Sequence, residues 1–96
     1  MVGKRYTVGV LPSARRELAS LPPAVQQKVQ RALDGLASEP RPQQSKLLAG
    51  GADERIWRIR VADYRVLYEI RDEQLVVLVV RMGHRREVYR GRRTGG

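Results

Sequence analysis

The sequence has no cysteine and a single histidine, His84. Without cysteine, disulfides, thiolate nucleophiles and thiolate metal sites are excluded. One histidine also excludes the usual histidine-rich metal sets, so we expect neither a metal nor a cofactor. The longest apolar run, residues 75–80, is far too short to span a membrane, and the first ten residues lack the apolar run of a signal peptide. The sequence therefore predicts a soluble, cytoplasmic protein with no membrane partner.

Acidic residues are scarce relative to basic ones in this chain of 96 residues. Lys and Arg total 19 against 10 Asp and Glu, which gives a formal net charge of +9 at pH 7. A charge this far from zero predicts an anionic partner. The length allows one hydrophobic core, and 42% hydrophobic residues suffice to build it. We expect a single domain over 1–96, with its core at about 5–90 and a flexible basic tail at 91–96.

Hydrophobic periodicity predicts a strand followed by two helices in the first part of the chain. Alternating apolar positions over residues 5–11 are typical of a strand with one buried face. Ser13 is a candidate N-cap for a short helix whose apolar positions reach Leu21. Pro22 and Pro23 end that helix and can open the next one. The second helix has an apolar stripe made of Val25, Val29, Ala32, Leu33 and Leu36.

The second part of the chain is predicted to form strands. Residues 39–51 are interrupted by Pro and Gly and are expected to be an ordered connector. Three strand-like runs follow, joined by two-residue turns: Arg55–Val61, Tyr64–Arg71 and Gln74–Arg81. The third run is apolar from 75 to 80, which predicts a central strand buried on both faces. The predicted fold class is α+β, with an N-terminal strand, a helical hairpin on one sheet face and an antiparallel three-stranded meander.

Several arginines are predicted to share the sheet face that the helices leave open. Successive side chains of a strand point to opposite faces. If Trp57 and Ile59 face the helices, Arg58 and Arg60 project from the other side. In the next run the more apolar set points inward, which places Arg65 beside them.

Positive charge is concentrated in residues 55–96, which hold 11 Arg and five acidic residues. Like charges on adjacent strands repel one another unless an anion neutralises them. This part of the chain therefore predicts a phosphate-binding surface. The residues assigned to RNA binding are Lys46, Arg55, Arg81 and Arg86.

Four segments resemble the RelE branch of the RelE/ParE superfamily of bacterial toxins. They are YTVGVLPSARRELASLP near the start, KLLAG at 46–50, IWRIRVADYRVLYEI at 56–70 and LVVLVVRMGHRREVY at 75–89. The resemblance covers roughly residues 5–90. Its most specific parts are the stretches WRIRVADYRVLYEI and GHRREVY.

The resemblance implies the toxin of a type II toxin–antitoxin system. Such a toxin is a ribosome-dependent endoribonuclease that cuts messenger RNA in the decoding site and so inhibits translation. The implied fold is a small α+β domain related to microbial ribonucleases. The implied partners are the ribosome, its mRNA and a RelB-like antitoxin with an acidic or helical segment, in a toxin–antitoxin hetero-oligomer. The family's catalytic positions carry over onto Arg58, Arg60, Arg65, Arg85 and Tyr89, and His84 competes with Arg85 for one role.

The sequence departs from the family at Arg58 and Arg60, where lysine is frequent. Arginine stays charged, so these side chains suit the phosphate better than proton transfer. Cleavage by 2′-hydroxyl attack without a metal also needs a general base, and His84, Asp63 and Tyr89 all remain candidates. No matched Glu/His pair of the free-ribonuclease type is readable, which predicts slow cleavage of naked RNA.

Two other functions are compatible with the same residues. A ParE-like inhibitor of DNA gyrase shares the fold and acts by binding a protein. A non-catalytic module that binds only nucleic acid or antitoxin is the second alternative. Growth arrest through blocked translation favours the nuclease, and a DNA-damage response favours the gyrase inhibitor.

Overall fold

The structure, a computed structural model, describes residues 5–48 and 55–84. Within these ranges the chain forms two helices and a five-stranded sheet. In chain order the elements are β1 (Thr7–Val10), α1 (Pro12–Ala19), α2 (Pro23–Leu36), β2 (Lys46–Leu47), β3 (Ile56–Val61), β4 (Tyr64–Arg71) and β5 (Val76–His84). The predicted tail at 91–96 lies outside the described residues, and the single domain over 1–96 stays a prediction.

The sheet has the strand order β1-β5-β4-β3-β2. Strands β3, β4 and β5 pair antiparallel, as predicted. The predicted two-residue turn joins β3 to β4, whereas the connection from β4 to β5 is longer than predicted and contains a short 3-10 helix, Asp72–Gln74. Strand β1 pairs parallel with β5 on one side, and β2 pairs antiparallel with β3 on the other. The α+β class is thus confirmed, with a mixed sheet that extends the predicted meander at both edges. Of the helices in the described ranges, none is long and apolar enough to cross a membrane.

The helices pack on one face of the sheet because each carries one apolar stripe. In α2 the positions Val29, Leu33 and Leu36 are buried, as the helical spacing predicts. They meet the inward-facing side chains of the central strands in one core. The buried sheet residues of this core are Ile59, Val61, Val66, Tyr68, Ile70, Val77, Val79 and Met82.

The start of the first helix differs from the prediction. Helix α1 begins at Pro12, its N-cap is Leu11, and no side chain caps it. Ser13 is therefore wrong as the N-cap and lies within the first turn. The physical reason is that the proline ring already has a helical φ and lacks the N–H that a first turn leaves unsatisfied.

The strand predicted as central also differs from the observed one. By position β4 is the middle strand, and its residues 65–68 are buried on both faces. In β5 the inward positions Val77 and Val79 are buried, whereas Val76 and Leu78 are partly exposed. The expected burial of the 75–80 run on both faces is wrong, because the face away from the helices has no second layer in the described ranges. Strand β5 also ends three residues later than predicted, at His84.

The connector contains a short strand that hydrophobic periodicity does not reveal. Lys46 and Leu47 pair with Arg58 and Trp57 as strand β2. Two residues are too few to show a period-2 pattern. Their pairing adds a cation to the sheet face opposite the helices.

Tyr68 links the connector to the core through a hydrogen bond. Its ring is fully buried, and its hydroxyl donates a 2.8 Å hydrogen bond to the carbonyl oxygen of Pro40. Burial disfavours the phenolate and raises the pKa of Tyr68 to about 12. The neutral phenol therefore contributes stability that is complete below pH 10 and is lost as the pH rises from 10 to 12.

We expect Tyr68→Phe to lower the free energy of unfolding by about 1 kcal/mol at pH 8, because one hydrogen bond is lost. Between pH 10 and 12 the wild type should lose stability more steeply than the variant, since a phenylalanine ring has no proton to lose. Urea unfolding at pH 8, 10 and 11.5 measures both effects. Parallel pH curves for the two proteins would contradict this account of Tyr68.

Candidate nucleic-acid interface

The register of the sheet places cations directly opposite one another on the face away from the helices. One row runs across four strands through Lys46, Arg58, Leu67 and Arg81. The next row pairs Arg60 with Arg65 and Arg65 with Gly83. Cross-strand neighbours share a face and lie about 5 Å apart at Cβ. We call Lys46, Arg58, Arg60, Arg65 and Arg81 the basic face.

The arginines of the basic face differ in exposure. Arg65 is only 7% exposed, although it is charged, whereas Arg60 is exposed. The Nε atoms of Arg58, Arg65 and Arg81 are buried and have no hydrogen-bond partner in the described part of the chain. An unsatisfied buried donor costs about 1–3 kcal/mol. Three such donors therefore lie close together on this face of the sheet.

Carboxylates do not neutralise the centre of the basic face. Within residues 5–48 and 55–84, Arg58, Arg60 and Arg65 form no ion pair with a carboxylate. Glu69 lies on the same face but pairs with Arg71. The uncompensated charge suits a phosphate, which can accept several guanidinium hydrogen bonds at once.

An apolar floor supports the cations. Ile56 and Leu67 are buried on this face, and Leu48 and Val80 pack against them. Leu67 lies between Arg58 and Arg81 in the first row. The floor limits the water around the guanidinium groups, which strengthens their attraction to an anion.

His84 lies on the other side of the sheet. It pairs with Tyr64 in the ladder, and the two rings meet edge to face at 5.8 Å between centroids. Both rings line a cleft of about 380 Å³ at the end of α1, together with Glu17, Arg81 and the backbone of Gly83, so Arg81 reaches this cleft from the edge of the basic face. Strand alternation therefore separates His84 from the central arginines. The exposed Asp63, in the β3–β4 turn, lies next to the Arg60–Arg65 row in the sequence.

The other predicted RNA-binding and catalytic residues do not all join the basic face. Arg55 lines a cleft with Trp57 and Leu47 on the helix side of the sheet, so the structure does not bring it to Arg58. Lys46 and Arg81 do lie on the basic face. The predictions for Arg85, Arg86 and Tyr89 lie outside the described residues.

Sequence reasoning missed two polar side chains that organise this part of the molecule. Glu17 of α1 accepts a 2.8 Å hydrogen bond from the backbone N–H of Met82 and lies 3.7 Å from Arg81. Arg41 of the connector lies over the Trp57 ring and donates two hydrogen bonds to Asp72. Both contacts join residues far apart in the sequence, so no local sequence pattern predicts them.

In the described ranges, two helices cover one face of a mixed sheet, and the other face carries Arg58, Arg60 and Arg65 without carboxylate partners. This arrangement defines a small α+β protein with a basic sheet face. The ParE toxin family of type II toxin–antitoxin systems, parDE, matches residues 8–89. A curated relative, toxin RelG of Mycobacterium tuberculosis, is 37% identical over 90 residues, which are 88% of this chain and 97% of the relative. A putative RelE-like toxin protein of Escherichia coli is 32% identical over 81 residues, 84% of each chain.

Solved structures show the same relationship. The toxin–antitoxin complex RelBE2 of Mycobacterium tuberculosis contains a chain with a TM-score of 0.74 and 34% identity, over 84% of this chain and 99% of that chain. The RelE–RelB complex of Pyrococcus horikoshii gives a TM-score of 0.75 and 28% identity, over 84% and 96%. The chain belongs to the RelE/ParE superfamily of type II toxins, and its similarity to RelE toxins confirms the predicted RelE branch.

We expect Arg65→Met to raise the free energy of unfolding by about 1–3 kcal/mol, because it removes a buried unpaired donor and the repulsion from Arg60. Methionine keeps an unbranched chain against the apolar floor. Arg31→Met, on the exposed surface of α2, is the matched control and should change stability by less than about 0.5 kcal/mol. Denaturant unfolding measures both, and a less stable Arg65→Met protein would mean that Arg65 is satisfied within the fold.

Proposed function

We propose that this toxin is a ribosome-dependent endoribonuclease that cleaves messenger RNA and so stops translation in the cytoplasm. The observation that carries the proposal is the centre of the basic face, where Arg60 lies opposite Arg65 and neither has a carboxylate partner within the described residues. The Nε donors of Arg58, Arg65 and Arg81 also lack acceptors within these residues. A phosphodiester supplies the missing charge and acceptors together. Structural reasons alone would favour apolar or ion-paired side chains at these positions.

In the proposed reaction the 2′-oxygen of a nucleotide attacks the adjacent phosphorus. The phosphorus–5′-oxygen bond breaks, which leaves a 2′,3′-cyclic phosphate and a free 5′-hydroxyl. The proton of the 2′-hydroxyl goes to a base, and an acid protonates the 5′-oxygen. Negative charge grows on the phosphate oxygens during the attack, and fixed cations stabilise it without a metal.

Arg65 is the central phosphate ligand in this proposal. It is the most buried cation of the basic face, and its unpartnered Nε is held by packing before substrate arrives. Arg58 and Arg60 flank it on the neighbouring strand. The family motif adds Arg85 near the leaving group and Tyr89 as a stacking or hydrogen-bonding group at the reacting nucleotide.

The general base is assigned to none of these arginines, because a guanidinium keeps its proton at neutral pH. His84 lies on the helix side with Tyr64, whereas Asp63 follows the strand that carries Arg60. Of the two, Asp63 is nearer along the chain to Arg60 and Arg65, because it lies in the turn between their strands, and Tyr89 of the motif is the third candidate. A protein that supplies mainly cations depends on the ribosome to align the 2′-oxygen with the phosphorus, and alignment can contribute many kcal/mol.

A cognate antitoxin is the second partner in this proposal. The two solved complexes named above pair a toxin of this fold with RelB. We assign to the antitoxin of this chain an acidic segment that neutralises the basic face. Such a segment would compete with RNA for the same cations and thereby keep the toxin inactive.

The decisive experiment is primer extension on a defined messenger in a reconstituted translation reaction. Wild type should produce new 3′ ends within the ribosomal A-site codon, and the ribosome-free reaction should not. Arg65→Met should lower the cleavage rate by about two to three orders of magnitude, as expected for one well-placed donor. Arg31→Met carries the same charge change on α2 and should cleave as the wild type does.

An intact messenger with folded wild-type protein would overturn the proposal. A gyrase supercoiling assay on the same samples then tests the ParE-like alternative. Efficient cleavage of ribosome-free RNA would contradict ribosome dependence, while it would leave the nuclease assignment in place.

A further inference from the structure

Among the described residues, no strand pairs with the second half of β5 on the side away from β4, and a side chain of α1 lies there instead. Strand β1 pairs with β5 only as far as Val79, and its last contact is the hydrogen bond from the Leu11 N–H to the Val79 carbonyl. Beyond that point α1 lies along β5 in place of a strand. The Met82 N–H at this edge is directed away from β4 and needs an acceptor.

Glu17 supplies that acceptor and also contacts the basic face. Its Oε1 accepts the hydrogen bond from the Met82 N–H at 2.8 Å, and its Oε2 lies 3.7 Å from a terminal nitrogen of Arg81. Arg81 sits in the first row of cations, opposite Leu67. One carboxylate therefore joins the helix layer to a cation on the far face, around the edge of the sheet.

We propose that Glu17 is a positioning residue for the RNA site, an inference that rests on the proposed nuclease function. Its hydrogen bond fixes the backbone of β5 at Met82, and its charge holds the Arg81 guanidinium at the rim of the basic face. The contact of 3.7 Å joins Glu17 to a terminal nitrogen of Arg81, while the buried Arg81 Nε has no hydrogen-bond partner among the described residues. The partly exposed Glu17 carboxylate lies beside Arg81 and takes no part in the proposed reaction.

Two variants separate the two contacts. Glu17→Gln keeps an oxygen acceptor for the Met82 N–H and loses the charge next to Arg81, whereas Glu17→Ala loses both. Glu73→Gln is the matched control, because Glu73 is exposed in the turn at the opposite end of β5. Amide hydrogen exchange of the folded protein should be at least about tenfold faster at Met82 in Glu17→Ala and close to wild type in Glu17→Gln.

The cleavage assay on ribosomes then tests the effect on the site. We expect Glu17→Gln to lower kcat by about three- to tenfold without raising KM, because Arg81 loses its orientation while the surface becomes more positive. In an Arg81→Gln background the same substitution should have no further effect. Glu73→Gln should leave both constants unchanged.

Three results would overturn the positioning role. They are unchanged Met82 exchange in Glu17→Ala, unchanged kcat in Glu17→Gln, and equal effects of Glu17→Gln with and without Arg81. A wild type that never cleaves messenger overturns the proposed function and the catalytic part of this inference together. The exchange measurement still decides in that case whether Glu17 holds the edge of β5.

Discussion

The register of β3 and β4 holds like-charged arginines opposite each other against their mutual repulsion, and the rest of the structure depends on that register. The two-residue turn at Ala62 and Asp63 sets the register that puts Arg60 opposite Arg65. Ala62 adopts a φ of 54° there, a left-handed conformation that a non-glycine residue rarely adopts. A slip of one residue would turn the buried apolar side chains outward and the arginines into the core. The hydrophobic layer beneath the helices therefore holds the cations together on the opposite face.

Arg41, outside the basic face, is paired within the fold. Arg41 donates hydrogen bonds to both carboxylate oxygens of Asp72, which also accepts a 2.6 Å hydrogen bond from the Tyr6 hydroxyl. The guanidinium lies 5.2 Å from the centre of the Trp57 ring. By contrast, the Nε donors of Arg58 and Arg65 have no partner among the described residues, which supports the proposal that a phosphate supplies the counter-charge of this surface.

Sequence periodicity predicts those features whose cause lies within one element. Alternation alone is enough to place Arg58, Arg60 and Arg65 on one face, because the apolar positions between them must face the helices. It cannot find β2, which is two residues long, or the contact of Glu17 with Met82, which joins residues 65 positions apart. It also mispredicts the burial of residues 75–80, since an apolar run does not reveal whether a second layer covers the other face of the sheet.

The proposed nuclease requires the basic face to receive the phosphate at which the messenger is cut. A cryo-EM structure of the toxin on a ribosome tests it, with a 2′-methoxy group replacing the attacking hydroxyl in the A-site codon. A phosphate oxygen is expected within about 3 Å of a guanidinium nitrogen of Arg65, above the apolar floor of Ile56 and Leu67. A messenger bound against the helix layer, with no phosphate at the Arg65 guanidinium, would rule out the proposed site.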